Sequence, residues 1–383
     1  MIYLDNAASA PVLPEAFEAA APFLTECFGN PSSIHAQGRR AALAIIEARE
    51  KCANAIGAKP EEIYFTSGGT ESDNMALRSA ALSGSKTGRM RIVTTLIEHP
   101  AVLNTCKSLE KQGFEVKYIG ADSEGFMNMG QAWELIDENT AVVSVMAANN
   151  EVGTIQPINE IAEMCREKGA VFHTDAVQAA GHFPLDVEKT GCDMLSVSAH
   201  KFGGLRGAGF LYCRGGVPLE PLIFGGGQEN GMRSGTENTA AIVSMGKALE
   251  ISCGNIVRDS EYVARLRDRL IGALLEIPGS RLNGGASRRL AGNVNVSFAG
   301  IEGESLVLGL DMRGVCASSG SACASGEEEP SHVLRAMGIP EDMLKGSLRL
   351  TLSARNTAEE IDATAAAVRE TVGTLRELRG WNA

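Results

Sequence analysis

The sequence predicts an α/β protein with a mostly parallel, seven-stranded sheet, helices on both faces, and a smaller α+β domain. Three observations support this prediction. Short apolar or β-branched runs alternate with helical patterns, glycine clusters follow several of these runs, and the pattern changes near residue 259. Because 383 residues exceed what one core usually supports, we expect a large domain at 14–258 and a small one at 1–13 and 259–383.

The candidate elements follow in order along the chain. Seven apolar runs are the expected strands of the sheet: 63–66, 91–95, 115–119, 141–146, 170–174, 194–198 and 209–213. Helical patterns separate them, as at 158–168. In the second part we expect a helix at 259–275, a strand at 293–298, a helix at 305–312, a strand at 347–352 and a closing amphipathic helix.

Composition excludes some classes of function. The net charge of -12, without a Lys/Arg run, argues against a nucleic-acid-binding surface. The N-terminal residues lack a signal-peptide pattern, and no later stretch has about 18 uninterrupted apolar residues. The nine cysteines are scattered and include no C-x-x-C pair. We therefore expect a cytoplasmic protein without a membrane segment, disulfide framework or metal site.

A glycine-rich turn at 67–70 joins a predicted strand to a predicted helix. Free N–H groups at such a helix start can bind a phosphate. Viewed alone, Gly69 and Thr70 are more often a turn and a helix cap than an anion site. The segment is not a Walker loop, because no Gly-Lys-Ser/Thr follows.

Two charged residues stand at the ends of predicted buried strands. Asp175 requires a cationic partner there, and a protonated pyridine nitrogen would serve; a helix-capping Asp is the alternative. Lys201 follows another strand and enters a Gly-rich loop, where its amine could form a Schiff base. Taken alone, such a lysine is more often solvated.

Taken together, these motifs resemble the cysteine desulfurases of the NifS/IscS type, within the class V aminotransferase-like group of fold-type-I pyridoxal-phosphate (PLP) enzymes. The similarity spans nearly the whole chain. The matching segments, in family order, are Tyr3-Leu-Asp-Asn-Ala-Ala, Gly29-Asn-Pro-Ser-Ser-Ile-His, Thr66-Ser-Gly-Gly-Thr-Glu-Ser-Asp-Asn, Glu98-His-Pro-Ala-Val, Asn149-Asn-Glu-Val-Gly, Asp175-Ala-Val-Gln, Ser198-Ala-His-Lys, Met232-Arg-Ser-Gly-Thr-Glu-Asn and Gly320-Ser-Ala-Cys.

The resemblance implies that the large domain binds PLP and gives several residues a role. Lys201 would carry the Schiff base, Asp175 would pair with the pyridine nitrogen, and Gln178 would donate to the phenolate oxygen. The implied phosphate contacts are Gly69, Thr70, Ser198 and His200. Thr236 would reach the phosphate of another subunit, which implies a homodimer with shared active sites.

Three further residues match the family's catalytic and substrate contacts. His99 corresponds to the histidine that stacks on the cofactor ring and assists proton transfer. Asn150 and Arg349 correspond to contacts with the substrate carboxylate, and Asn150 is also an expected cofactor contact. A planar guanidinium suits a carboxylate because it can donate two parallel hydrogen bonds. Viewed alone, Arg349 could equally be a surface arginine on a strand.

Cys323 is the residue that would receive sulfur. It lies among small residues without helical or strand periodicity, so we expect an exposed, mobile loop. Cys316 is the only rival, and we interpret it as structural because its neighbours are typical of a strand.

Two features depart from the expected pattern. The family commonly has Gly-Pro-Lys-Gly after the Schiff-base lysine, whereas this chain has Gly204-Leu205-Arg206-Gly207. The acidic run Glu327-Glu-Glu329 follows Cys323, where nearby anions disfavour a thiolate. One hypothesis is that this run binds a basic patch on a sulfur acceptor; unaltered persulfide transfer after Glu-to-Gln changes would contradict it.

The resemblance therefore implies a PLP-dependent cysteine desulfurase. Such an enzyme removes sulfur from L-cysteine, gives L-alanine, and leaves a persulfide on Cys323 for an iron–sulfur scaffold or a tRNA-thiolation carrier. A selenocysteine lyase or a class V aminotransferase would share most cofactor residues. A PLP-bound scaffold for sulfur-transfer partners is the non-enzymatic alternative, against which the intact Lys201, His99 and Cys323 argue.

Overall fold

The computed structural model describes residues 1–320 and 330–381, so Cys323 and the acidic run at 327–329 lie outside the described residues. The strands are β1 (Ile2–Tyr3), β2 (Ile63–Thr66), β3 (Arg91–Thr95), β4 (Glu115–Ile119), β5 (Thr140–Ser144), β6 (Val171–Asp175), β7 (Met194–Ser198), β8 (Gly209–Cys213), β9 (Ser280–Leu282), β10 (Asn293–Phe298), β11 (Val315–Cys316) and β12 (Ser347–Thr351). The helices are α1 (Pro14–Ala20), α2 (Pro22–Thr25), α3 (Ala36–Ile56), α4 (Gly69–Ser85), α5 (Pro100–Glu110), α6 (Met129–Leu135), α7 (Ile158–Lys168), α8 (Val187–Thr190), α9 (Thr239–Leu275), α10 (Gly303–Asp311), α11 (His332–Ala336), α12 (Glu341–Leu344) and α13 (Ala358–Arg379).

Seven strands form the central sheet, in the order β2-β8-β7-β6-β5-β3-β4. All run in one direction except β8, which is antiparallel to both of its neighbours. The predicted fold class is confirmed. The observed bounds differ mainly at β5, which ends at Ser144 rather than at 146, and at β6, which extends to Asp175.

Helices cover both faces of this sheet, as predicted. Successive residues of a strand point to opposite sides. Val142 of β5 therefore packs with Leu77 and Val102, on helices α4 and α5. Its neighbour Val143 packs on the other face with Ile161 of α7. We call the cluster on this second face, which includes Val143, Ile161 and residues of α3 and α9, the large core.

The smaller part of the fold contains a second sheet, which is antiparallel and has the order β12-β10-β9. Its inward residues, such as Val296 and Leu350, pack with Leu270 of α9 and Val368 of α13. This separate cluster is called the small core. An α+β arrangement of the C-terminal residues was expected from the sequence.

Helix α9 connects the two cores. Met245 and Leu249 lie in the large core, and Leu266 and Leu270 lie in the small core. The predicted helix at 259–275 is therefore too short, because the observed helix begins at Thr239. Gly246 is consistent with a helix here: a Cβ would lie 3.0 Å from Ala48 Cα, so glycine allows α3 and α9 to approach closely. The predicted domain boundary at 258/259 lies inside α9 and stays a prediction.

Within the part of the chain that the structure describes, α9 is also the one helix long and apolar enough to cross a membrane. Length and composition alone give this result, and a core helix passes the same test. Residues of α9 are packed in both the large and the small core. Packing inside the protein therefore accounts for its apolar character.

The N-terminal residues join the small sheet region. β1 pairs in parallel with β11. Leu4 then donates its N–H to Cys316 O at 3.0 Å and accepts from Thr351 N–H at 2.6 Å. The chain at residues 4–6 consequently lies between β11 and β12, and Leu4 enters the small core.

Candidate active site

Most of the predicted site residues follow strands of the central sheet at the same edge, whereas Arg349 lies in β12 of the second sheet. Parallel strands bring their carboxyl ends together at that edge of the central sheet, as is typical of ligand sites in α/β proteins. A cavity of about 160 Å³ opens at this edge, and we call it the active-site cavity. The predicted residues that line it are Gly69, Thr70, His99, Asn150, Asp175, Gln178, Ser198, His200, Lys201 and Arg349.

The half-buried Lys201 is held at the cavity by the N-terminal segment. Its Nζ donates hydrogen bonds to Ala7 O at 2.6 Å and to Ala8 O at 3.1 Å. Gln178 Nε2 donates to the same Ala7 oxygen at 3.1 Å. The lysine amine and the Gln178 amide thus converge on one wall of the cavity.

Asp175 places a buried carboxyl group at the end of β6. Its Oδ1 accepts from Val177 N–H at 2.9 Å. Burial raises the pKa of Asp175, although His99 and Lys201 act to lower it. Asp73 also lines the cavity, and its pKa is raised well above its usual value by burial and by Asp175. Two buried carboxyl groups therefore face each other, so a proton or a cation has to offset their charge.

A buried histidine, His173, lies next to Asp73 of this carboxyl pair. His173 Nδ1 and Nε2 each lie 2.9 Å from a serine hydroxyl, those of Ser144 and Ser196. Burial lowers the pKa of His173 to about 3, so the imidazole is neutral at pH 7. Asp73 Oδ1 lies 3.6 Å from His173 Nε2 and has no hydrogen-bond partner among the described residues.

Sequence reasoning missed Asp73 and His173. A signal was present for His173, because it stands two residues before Asp175 on a strand and therefore lies on the same face. Asp73 gave a weaker signal. It lies in the first turns of a helix, where an acidic side chain is ordinary.

The start of α4 forms the polar end of the cavity. The helix begins at Gly69, so its first-turn N–H groups lack partners within the helix. A Cβ at Gly69 would lie 2.5 Å from Val177 Cγ2, so glycine is required for α4 to approach the turn after Asp175. Nearby, burial and the Lys201 charge lower the pKa of His200 to about 4, which keeps its imidazole neutral. This end of the cavity is suited to an anion.

His99 caps helix α5 at the cavity wall. Its Nδ1 accepts a hydrogen bond from Ala101 N–H at 3.1 Å, immediately after Pro100. Because Nδ1 accepts, a neutral His99 carries its proton on Nε2. The cap fixes both the position and the tautomer of the imidazole.

Arg349 is buried rather than exposed, which contradicts the alternative of a surface arginine. Its residue surface is 1% exposed. Nη1 donates to Asn150 O at 3.0 Å and Nη2 to Asp5 Oδ1 at 3.0 Å. Nε has no hydrogen-bond partner within residues 1–320 and 330–381. A buried donor of this kind is suited to a ligand's carboxylate.

Thr236 stands apart from the other predicted residues. It is exposed and is not among the residues that line the active-site cavity. Its segment is anchored through Arg233, whose Nε donates to Glu71 Oε1 of α4 at 2.8 Å. The structure thus brings ten predicted residues to one cavity, leaves Thr236 outside it, and does not describe Cys323.

Comparison with known proteins identifies the family. The family model for aminotransferase class-V matches residues 2–364. The chain belongs to this family. It is 50% identical over 377 residues to a cysteine desulfurase IscS from Methanosarcina thermophila, covering 98% of this chain and 93% of that one.

Solved structures show the same likeness. A NifS-like protein superposes with a TM-score of 0.91 at 39% identity, covering 97% of this chain and 99% of that chain. A structure of SspA in complex with cysteine gives a TM-score of 0.82 at 36% identity, covering 93% and 100%. The α/β fold and its site are therefore those of an enzyme family that depends on PLP.

The residues of the cavity fit that cofactor. The charge of the buried pair of Asp175 and Asp73 has to be offset, and a pyridinium nitrogen would do so. The start of α4 offers N–H groups to a phosphate. Lys201 places an amine at the same cavity. These three features match the three polar ends of PLP.

Glu98 is a buried carboxyl group next to the site, and its protonation should affect how stability depends on pH. Its side chain is fully buried, and Oε1 accepts from the Thr95 hydroxyl at 2.7 Å and from Met146 N–H at 3.0 Å. Burial raises the pKa of Glu98 from 4.5 to about 8. The folded protein retains this proton, whereas the unfolded chain releases it. Stability is therefore lost as pH rises between these values, by ~1.4 kcal/mol per pH unit.

Glu98→Gln is expected to remove this slope. We would measure denaturant unfolding of the holoenzyme between about pH 7 and about pH 8, where the unfolded-state histidines are already mostly neutral. Wild type should lose stability relative to Glu98→Gln as pH rises. Glu341→Gln, at an exposed position, should follow wild type. Parallel curves for wild type and Glu98→Gln would contradict a protonated Glu98.

Proposed function

We infer that this chain is a cysteine desulfurase, which takes sulfur from L-cysteine and releases L-alanine. The observation that carries this inference is the meeting of Lys201, the buried Asp175 and the buried Arg349 in one cavity. These groups suit an amino-acid substrate that carries an amine and a carboxylate. Relatives at about half identity are named cysteine desulfurases, and a related solved structure contains cysteine.

We propose that PLP occupies the active-site cavity. The first turn of α4 with Ser198 and His200 would hold its phosphate, Asp175 its pyridine nitrogen, Gln178 its phenolate oxygen and Lys201 its aldehyde carbon. When bound, PLP supplies an electron sink for negative charge that develops on the substrate's α-carbon. The buried carboxylate of Asp175 supports this role, because it would keep the ring nitrogen protonated.

The chain's own residues then perform the proton and sulfur steps. Arg349, fixed by Asn150 O, binds the substrate carboxylate. The Lys201 amine would move the α-proton, and His99 Nε2 offers a second proton position. Cys323 thiolate attacks the substrate sulfur, so its S–S bond forms as the substrate C–S bond breaks. The electron pair of that bond stays with the β-carbon, which accepts a proton, and the α-carbon regains its proton before L-alanine leaves.

A homodimer with shared sites is part of this proposal. Thr236 is exposed, outside the cavity of its own subunit. Its loop is tied to Ile223, since Ser234 N–H donates to Ile223 O at 3.3 Å, and the adjacent Phe224 is 82% exposed. A partner subunit would cover this apolar side chain and receive Thr236. Sedimentation of the holoenzyme as a single-subunit species would contradict it.

The recipient of the sulfur is proposed as a protein carrier, either an iron–sulfur scaffold or a tRNA-thiolation carrier. We propose that the protein works in the cytoplasm. The described cysteines support this, because all eight are free.

A comparison of two cysteines tests the function. Cys323→Ala is expected to reduce alanine and sulfide formation from L-cysteine with a reductant by at least about a hundredfold. Cys316→Ala is the matched control, since Cys316 is a half-buried free cysteine in β11, and its rate should stay within about twofold. Wild-type yields of alanine and sulfide from Cys323→Ala would show that Cys323 does not receive the sulfur.

A further inference from the structure

The side chain of Asp5 lies between Arg349 and the residues that precede the Cys323 segment. Asp5 Oδ1 accepts a hydrogen bond from Arg349 Nη2 at 3.0 Å and another from the Ser318 hydroxyl at 2.9 Å. The two donors are 344 and 313 residues away along the chain. The side chains of Arg349 and Asp5 are only 2% and 18% exposed. One largely buried oxygen therefore joins two distant segments.

The backbone fixes Asp5 in this position. Residues 4–6 lie between β11 and β12, with hydrogen bonds from Leu4 to both Cys316 and Thr351. Side chains alternate along an extended chain, so Leu4 enters the small core and Asp5 points to the opposite side.

Arg349 and Ser318 are fixed opposite each other in the same way. Ser318 N–H donates to Arg349 O at 3.1 Å, and Arg349 N–H donates to Ser318 O at 2.7 Å. This pairing leaves both side chains facing Asp5. The position of all three side chains therefore follows from strand register rather than from a flexible loop.

The contacts of Arg349 show what Asp5 does. A guanidinium has five N–H donors in a fixed plane. Nη1 is fixed by Asn150 O and Nη2 by Asp5, while Nε has no partner among the described residues. These two anchors set the orientation of the guanidinium plane at the active-site cavity, which Arg349 lines. Asp5 also offsets a cation that would be costly to bury alone.

We propose that Asp5 is a positioning residue that orients Arg349 toward the substrate carboxylate. Through its hydrogen bond with Ser318, Asp5 also fixes the residues that precede the Cys323 segment. This inference rests on the proposed function. It means that one carboxylate fixes both the place where substrate binds and the place from which the sulfur-accepting segment starts.

Ligand titration of the holoenzyme separates these two roles. L-alanine has the amine and the carboxylate of the substrate, whereas cysteamine has the amine and thiol without a carboxylate. Followed by the absorbance of bound PLP, Asp5→Ala is expected to weaken L-alanine binding at least about tenfold and cysteamine binding less than about twofold. Asp5→Asn, which retains an acceptor and nearly the same shape, should lie between wild type and Asp5→Ala.

Ser318→Ala tests the second connection. It should leave L-alanine binding within about twofold, because Arg349 keeps both of its anchors. In a single turnover with L-cysteine, it should slow persulfide formation on Cys323 by about fivefold. Asp362→Ala is the matched control: Asp362 pairs with Arg269 on the exposed surface, and its loss should change neither measurement.

Two results would overturn the inference. One is unchanged L-alanine binding in Asp5→Ala. The other is an equal loss for L-alanine and cysteamine in both Asp5 variants, which would indicate a general structural effect. The titrations report binding alone. If the wild-type holoenzyme forms no alanine from L-cysteine, the proposed function is wrong. The binding comparison of the Asp5 variants can still be interpreted in that case.

Discussion

Lys201→Ala is expected to reduce the rate of alanine formation from L-cysteine by at least about a thousandfold. The amine has two tasks in the proposed reaction, since it binds the cofactor and moves the α-proton. The carbonyl oxygens of Ala7 and Ala8 hold its Nζ at the cavity, and alanine leaves no group that could reach the same place. The measurement is steady-state alanine formation by protein reconstituted with PLP.

Borohydride reduction followed by peptide mass analysis provides an independent readout. The wild-type peptide that contains Lys201 should gain the mass of the reduced cofactor, and the variant peptide should not. Lys247→Ala is the matched control, because Lys247 is paired with Glu250 on the surface of α9. Its rate and its labelled peptide should match wild type. A labelled lysine elsewhere in the Lys201→Ala protein would contradict the assignment.

Asp175→Asn is expected to reduce kcat by about a hundredfold to several thousandfold. Removing one partner of a buried ion pair costs about 3–5 kcal/mol, and this loss falls on the form of the cofactor that stores negative charge. Asparagine keeps the shape of the side chain and its acceptor oxygen for Val177 N–H. The expected loss is therefore electrostatic. Steady-state kcat and the absorbance of the bound PLP report it.

The same variant should not lower the stability of the apo protein. Burial raises the pKa of Asp175, so the ionised carboxylate destabilises the fold at neutral pH when no cation faces it. Asp175→Asn should then be at least as stable as wild type after PLP is removed. Asp362→Asn is the control, since Asp362 is paired with Arg269 on the exposed surface, and both its kcat and its apo stability should match wild type. If Asp175→Asn retains wild-type kcat, Asp175 is not the partner of the ring nitrogen.

Local patterns along the sequence predicted most of the fold. Strands such as β7 and β8 are short apolar runs, and they were found at the predicted bounds. The start of α9 was missed because Gly246 and Gly254 suggest a break. Only the contact between Gly246 and Ala48 of α3 explains why a glycine is placed within a helix there. At Gly246, tertiary packing outweighs the low helix propensity of glycine.

The site was predicted in part for the same reason. Lys201, Asp175 and His99 stand at strand ends, and strand order brings such positions together. Asp73 and His173 became meaningful only when the structure placed them behind Asp175. The contact between Asp5 and Arg349 depends on register between segments 344 residues apart, which no local pattern encodes.

The position of the first eight residues has a consequence for how the protein is made. The segment that contains Asp5 and the Ala7 and Ala8 carbonyls is synthesised well before β12, yet Leu4 is hydrogen-bonded to Thr351 of that strand. The N-terminal segment therefore has to wait until residue 351 has left the ribosome before it can take its native place. Contacts this distant in sequence are slow to form. The large sheet can fold during translation, but the catalytic cavity is completed only after residue 351 has emerged.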